Sequence, residues 1–360
     1  MAGAPEGSPQ WLPRRRLITG ATALAAAAAG RARAADPVTV NVAALGGVIN
    51  EYLMKTFGVP FEQQTGIKVN FGSNAGLALA RLQAASGGPA QWDIIVLSGA
   101  EYLAAIEQNL LEPYDYSIIN PATIPPAYRG THGVKLSLYL FSMCWDRRQI
   151  ADDQAPKTLA EFWDTARFKG NRSLYSNVVD GSVLEMALLA DGVALDNLYP
   201  LDIDRALRSL ERLGRQNIIW HTTNQEPIQQ LTSGAVALAT AFNGRVLLAN
   251  RAGAHLGYSP AYSGVSGSPY TVSRASTKKK EAFQLLNFML TNPQAGAEYM
   301  QLTSYALPNT EALKRVPEAV LEQLPTSPTL RDKVFLKSDE WWAANLAPAT
   351  RKFREWQLAG

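Results

Sequence analysis

The chain has 360 residues, 47% of them apolar, which is enough to bury a large core divided between two globular units. Its net charge of +3 is concentrated at the front, where Arg14, Arg15, Arg16, Arg31 and Arg33 stand against Glu6 alone; the rest holds 29 basic and 30 acidic residues. A near-neutral body with no long basic run excludes an electrostatic case for nucleic-acid binding.

Residues 1–34 have the composition of an export signal. Pro13-Arg14-Arg15-Arg16 is a basic start, and Leu17 to Gly30 is uncharged over fourteen residues, short of the about 20 that span a bilayer. Ala32-Arg33-Ala34 supplies a small-x-small cleavage pattern, so the mature chain is expected to begin at Ala35. The adjacent arginines and the weakly apolar Ala/Thr/Gly stretch resemble a twin-arginine signal, with a conventional Sec signal as the alternative. Cys144 is the single cysteine and lies in the apolar run Leu138 to Trp145, so it reads as a buried thiol with no disulfide and no lipid anchor. An exported chain without an anchor points to the periplasm of a two-membraned bacterium.

The next hundred residues alternate strand and helix. Val38, Val40 and Val42 alternate with polar neighbours before Gly46-Gly47. Glu51 to Gln64 reads as helix closed by Gly66, and Ile67 to Phe71 as a second strand. A helix around Leu79 and Leu82 ends at Gly87-Gly88-Pro89. Asp93 to Leu97 has the continuous apolar character of a buried parallel strand, and Leu103, Ile106 and Leu110 fall on one helical face. This βαβαβα order predicts a mainly parallel sheet covered by helices. Such sheets bind ligands beyond the carboxyl ends of their strands. The junctions Leu45-Gly46-Gly47, Gly72-Ser73-Asn74 and Ser98-Gly99-Ala100 are small and polar there, which makes Gly46, Gly47, Ser73, Ser98 and Gly99 candidate contacts through backbone N–H groups.

The pattern restarts beyond residue 140. Thr158 to Trp163, Gly181 to Leu189, Asp204 to Leu213 and Ala282 to Leu290 read as helices, and Ser173 to Ser176 and Val236 to Phe242 as strands. Two α/β units without a flexible linker predict two lobes with a cleft between them. At the end, Asp339 to Trp356 reads as helix interrupted at Pro348, with Trp341, Trp342 and Trp356 packing it onto the second unit.

Several segments resemble one family. Phe61-Glu62-Gln63-Gln64-Thr65-Gly66-Ile67-Lys68-Val69, Trp92-Asp93-Ile94-Ile95-Val96, Phe162-Trp163-Asp164 with Phe168-Lys169-Gly170, the helix Lys278 to Leu290, and Tyr305-Ala306-Leu307-Pro308-Asn309 resemble, in this order, segments typical of bacterial extracellular solute-binding proteins of ABC transporters. The likeness is greatest to the spermidine/putrescine-binding branch. It implies a type II periplasmic binding protein fold, an α/β architecture of two mainly parallel sheets flanked by helices, closing on ligand about hinge crossings. The crossings are expected near Tyr139–Trp145, Ala241–Gly244 and Ser304–Pro308. Lobe one then takes residues 36–140 plus 245–303, and lobe two 141–244 plus 304–360. The implied partners are a small-molecule ligand and the permease subunits of an importer with a separate ATPase. No cofactor, no metal and a monomer are expected.

Polyamine receptors of this family cage each ammonium with carboxylates and line the methylene chain with aromatic rings. Here part of that cage is replaced. Asp180-Gly181-Ser182-Val183 retains the first acid and loses the second, and Phe242-Asn243-Gly244-Arg245 places an arginine at a crossing. An arginine repels a dication, whereas its planar fork suits a carboxylate. Asp180 for an amine and Arg245 for a carboxylate predict a zwitterionic, amino-acid-like ligand; the alternatives are an Arg245 that faces solvent or pairs with a structural acid, and a true polyamine receptor. Trp220 is a candidate ring contact to its aliphatic part and equally readable as a core tryptophan; Tyr270 and Tyr305 are weaker candidates on the same argument, and Phe242, a candidate at the crossing, reads by default as a core aromatic.

Other classes find less support. Gly264-Val265-Ser266-Gly267-Ser268 lacks the G-x-S-x-G spacing of a hydrolase nucleophile, and His132, His221 and His255 are isolated in sequence. Tyr258 and Tyr262 flank Pro260 and are not the adjacent pair typical of ferric-iron receptors. A ligand-sensing module for a chemoreceptor stays open, because the same closed form could dock to either partner.

Overall fold

A computed structural model describes residues 37–73, 76–330 and 332–359; the expected export signal and its cleavage site lie outside them. The strands are β1 (Thr39–Ala44), β2 (Lys68–Ser73), β3 (Ile94–Val96), β4 (Gly133–Asp146), β5 (Arg172–Tyr175), β6 (Ile218–His221), β7 (Leu238–Phe242), β8 (Leu256–Val272) and β9 (Phe335–Leu336). Among the described residues they form one mixed sheet, ordered β2-β1-β3-β8-β4-β7-β5-β6, with β9 beside β8. At one end β1 runs parallel to β2 and β3, and at the other β5 runs parallel to β6 and β7. Between them the long strands β4 and β8 pair antiparallel from Gly133↔Thr271 to Asp146↔Leu256.

Two large hydrophobic cores lie along this sheet. The first gathers Val40, Ile49, Phe57, Ile94, Leu138, Tyr270, Leu286 and Met300; the second gathers Phe141, Leu174, Leu184, Leu210, Leu238, Trp342 and Phe353. Burying each such side chain contributes about 1.5–3 kcal/mol, so either core can hold its half together. The change of core along β4 falls between Leu138 and Phe141, and Leu140 joins Val265 and Leu330 in a small cluster at the junction.

The third crossing is displaced from its expected place at Ser304–Pro308. Tyr305, Ala306 and Leu307 pack in the first core, Ala306 bridges Leu138, and Ala312, Val316 and Leu324 follow them. The chain reaches the second core only at Phe335, where β9 pairs with Gly264 and Val265. Conversely Val246 and Leu256, expected with the first lobe, pack with Cys144, Ala239 and Ala241 of the second half. Apolar burial decides both differences: Tyr305 to Leu307 find their apolar partners around Leu138, and the next such set becomes available only at Phe335.

The predicted helix Glu51 to Gln64 is three segments, Gly47–Leu53, a π-helical turn Met54–Gly58, and Val59–Thr65 ended by Gly66 at φ 75°. The final helix Asp339–Leu358 runs through Pro348 without interruption. Its face carries Trp342, Ala349 and Phe353 into the second core, and that packing outweighs the hydrogen bond lost at proline.

Candidate functional site

Where the chain changes core, a cavity of about 190 Å³ is lined by Leu45, Val96, Leu97, Ser98 and Glu101 from the first half, by Tyr175, Asp180 and Asn224 from the second, and by Tyr139, Phe242, Arg245, Ser268 and Tyr305 at the crossings. Strand pairing builds the aromatic wall. Phe141 of β4 is opposite Phe242 of β7, which sets Tyr139 edge-on to Phe242 with ring centres 5.0 Å apart at 89°, and Tyr305 lies 6.0 Å from Tyr139. Tyr175, at the carboxyl end of β5, stacks on His221 at 4.8 Å and 19°. Burial, reinforced by the negative charge of Asp180, pushes the Tyr175 hydroxyl up to about 12 and raises that of Tyr139 well above its ordinary range.

Arg245 stands in the first turn of the helix Asn243–Arg251, which follows β7 directly. Buried Asn243 fixes that turn: its Oδ1 accepts from the Leu140 N–H at 3.1 Å and its Nδ2 donates to the Ser304 carbonyl at 3.1 Å, tying three chain segments together. Gly244 lies so close to Tyr305 that a methyl group there would overlap the ring. Arg245 and Tyr305 line the cavity together, but the Arg245 Nε is buried without a hydrogen-bond partner, and among the described residues no carboxylate pairs with it. A half-buried guanidinium in that condition is incompletely compensated.

Asp180 closes the turn after β5. Asn177 organises it, accepting from the N–H groups of Val179 and Asp180 and donating to Asp180 Oδ2 at 2.7 Å. Burial lifts the Asp180 carboxyl above the usual carboxylate range; nearby Lys337 opposes this and Glu101 adds to it. A cation beside Asp180 would relieve both the burial and the Glu101 repulsion. Glu101 itself completes a capping box on the helix Gly99–Glu107: its Oε2 accepts from Ser98 N–H at 3.0 Å, Ser98 Oγ accepts from Glu101 N–H, and Oε1 accepts from Leu77 N–H.

Of the residues singled out in the sequence, Ser98, Asp180, Phe242, Arg245 and Tyr305 line this cavity together. Gly46, Gly47 and Ser73 do not. The Gly46 N–H is taken by Asn50 Oδ1, Ser73 is exposed at the end of an edge strand, and Asn74 lies outside the described residues. Gly99 opens instead onto an adjoining recess, against the carboxylate of Asp339. Trp220 does not line the cavity either: it packs edge-on against Phe353 and Trp356 of the last helix, beside the second core. Tyr270 is likewise a residue of the first core, fully buried, with its carbonyl accepting from Tyr114. Tyr175 and Glu101 escaped the sequence reading. Tyr175 could have been found as the carboxyl-end residue of a parallel strand, and Glu101 by the Ser-x-x-Glu capping signature starting at Ser98.

Among the described residues no helix is long and apolar enough to cross a membrane, and no three His, Cys, Asp or Glu side chains gather as metal ligands. Two cores joined by a crossing pair of long strands, with a charged aromatic cavity at the junction, define a two-lobed solute-binding protein. Residues 56–329 match the family described as bacterial extracellular solute-binding protein, and the chain belongs to that family. It is 28% identical over 347 residues to the gamma-aminobutyric acid-binding protein of Pseudomonas aeruginosa, covering 92% of this chain and 94% of that protein. Among solved structures it resembles an ABC transporter substrate-binding protein from Bradyrhizobium japonicum USDA 110 at 28% identity and a TM-score of 0.83, covering 89% of this chain and 99% of that one. It also resembles the PBP AgtB of Agrobacterium tumefaciens R10 in complex with agropinic acid, at 25% identity and a TM-score of 0.79 over the same shares.

Proposed function

We propose that this chain is the periplasmic receptor of an ABC importer for an ω-amino acid of the γ-aminobutyrate type. Arg245 carries the reading: it lines an aromatic cavity and, among the described residues, has no carboxylate of its own, so the partner that suits its guanidinium is the ligand's carboxylate. Asp180, with Glu101 behind it, takes the ammonium, and Tyr139, Phe242, Tyr305 and Tyr175 enclose the methylene chain. The γ-aminobutyrate-binding relative supports this choice within the family. Polyamines fit less well, since a second ammonium would meet Arg245.

Residues 1–34 would export the chain and be cleaved after Ala34. In the periplasm a monomer would close on its ligand and present both halves to permease subunits whose ATPase is separate; it catalyses no reaction itself. Isothermal titration of the mature protein against γ-aminobutyrate, putrescine and spermidine tests the reading. Micromolar or tighter γ-aminobutyrate binding with weak polyamine binding is the expected result. Tight putrescine binding with no amino-acid binding would reverse it.

A further inference from the structure

The cleft does not end at Asp180. A second chamber of about 420 Å³ opens on the far side of Ser98, Glu101 and Asp180, which line both spaces, and it extends to Thr350 and Arg354 on the last helix. The first cavity alone, at about 190 Å³, is smaller than the roughly 300–1,000 Å³ usual for small-molecule sites; the two together fall inside that range. At about 30 Å³ per molecule of liquid water, the second chamber has room for a substituent of several heavy atoms. Its walls come from both halves of the molecule, Ser98, Ala100 and Glu101 from the first and Ser176 to Asp180 with the last helix from the second.

The order of charges along this path is fixed by which space each side chain lines. Arg245 lines only the cavity, Asp180 and Glu101 line both spaces, and Arg354 lines only the chamber. Arg354 is exposed on the helix, and among the described residues it has no ion pair and no hydrogen-bond acceptor. A path reading positive, negative, positive is complementary to a ligand reading negative, positive, negative. We infer that the preferred ligand is an amino acid whose nitrogen carries a second, anionic arm: one carboxylate at Arg245, a secondary ammonium between Asp180 and Glu101, and the arm in the second chamber at Arg354. This rests on the amino-acid reading of the same cleft and names its ligand class more narrowly.

The discriminating measurement is titration of wild type and Arg354→Ala with two probes, γ-aminobutyrate and N-(carboxymethyl)-γ-aminobutyrate. The substituted probe is expected to bind wild type at least tenfold more tightly. Arg354→Ala should remove that advantage while leaving γ-aminobutyrate affinity within twofold. Thr350→Trp, which fills the chamber without touching the charges, should weaken the substituted probe selectively. The inference is overturned if the substituted probe binds no better than γ-aminobutyrate, or if its advantage survives Arg354→Ala. Binding of γ-aminobutyrate alone would remove the chamber and keep the amino-acid reading; binding of neither probe would remove both.

Discussion

The two walls of the cleft hold their charges differently. On the first wall Glu101 has both oxygens engaged, by Ser98 N–H at 3.0 Å and Leu77 N–H at 3.1 Å, so its carboxylate is held in place where two helix starts meet. On the opposite side Arg245 leaves Nε without a partner, and Asp180 is held in a setting that disfavours its charged form. The first wall is satisfied from within the chain; the second is the one on which the proposed ligand would act. A satisfied buried polar group stabilises a fold, whereas an unsatisfied one marks where a binding partner gains most.

Breaking the unsatisfied wall should have the largest effect. Arg245→Ala is expected to weaken γ-aminobutyrate binding by about 2–5 kcal/mol, roughly 30- to 4,000-fold, in titration calorimetry with unchanged circular dichroism. Wild-type affinity in that variant would dissociate Arg245 from the ligand. Asp180→Asn should also weaken binding, yet raise the melting temperature of the ligand-free chain, because it removes a charge that burial opposes. For the same reason affinity should fall with pH, since protons compete with the ammonium as Asp180 titrates above the ordinary aspartate value of about 3.9.

His221, behind Tyr175, gives a pH effect of opposite origin. Burial lowers its pKa to about 4, against about 6.5 unfolded, so between these values the unfolded chain binds the extra proton. Its stabilising contribution is complete above about pH 6.5 and is lost as pH falls to about 4, on the order of 3 kcal/mol in all. Denaturant titrations at pH 7 and 4.5 on wild type and His221→Phe measure it; parallel pH dependences in the two would remove His221 as the cause. On the satisfied wall, Glu101→Gln should cost stability of about 1 kcal/mol with a smaller change in affinity than Arg245→Ala. The smallest effect belongs to the ion pair between Lys135 of β4 and Asp339 of the last helix, at 2.5 Å, which bridges the halves. Asp339→Asn should cost less than about 1 kcal/mol and increase the radius of gyration in solution scattering.

The outer strands and most helices were legible because their apolar residues recur with strand or helix period. The central pair was not. Strand β8 contains nine Gly, Ser or Pro residues among seventeen, which hides any strand period. Those small residues are demanded from across the sheet: the Trp145 ring lies over Gly257 so closely that no side chain fits there. Residue type singled out Asp180 as the retained acid of a polyamine cage and Arg245 as a charge foreign to one. Trp220 and Tyr270 misled for the complementary reason that an aromatic side chain serves a core and a ligand equally well.

The sequence by itself determined the alternation of strand and helix, the helix stops, the family likeness and the charged residues that distinguish this cleft, because these depend on local pattern and residue type. Tertiary structure alone decided which aromatics face the cavity, where the chain finally crosses between cores, and which charges stay unpaired. Those outcomes depend on contacts between segments far apart in the chain, such as Asn243 holding Leu140 to Ser304. No local pattern carries such contacts.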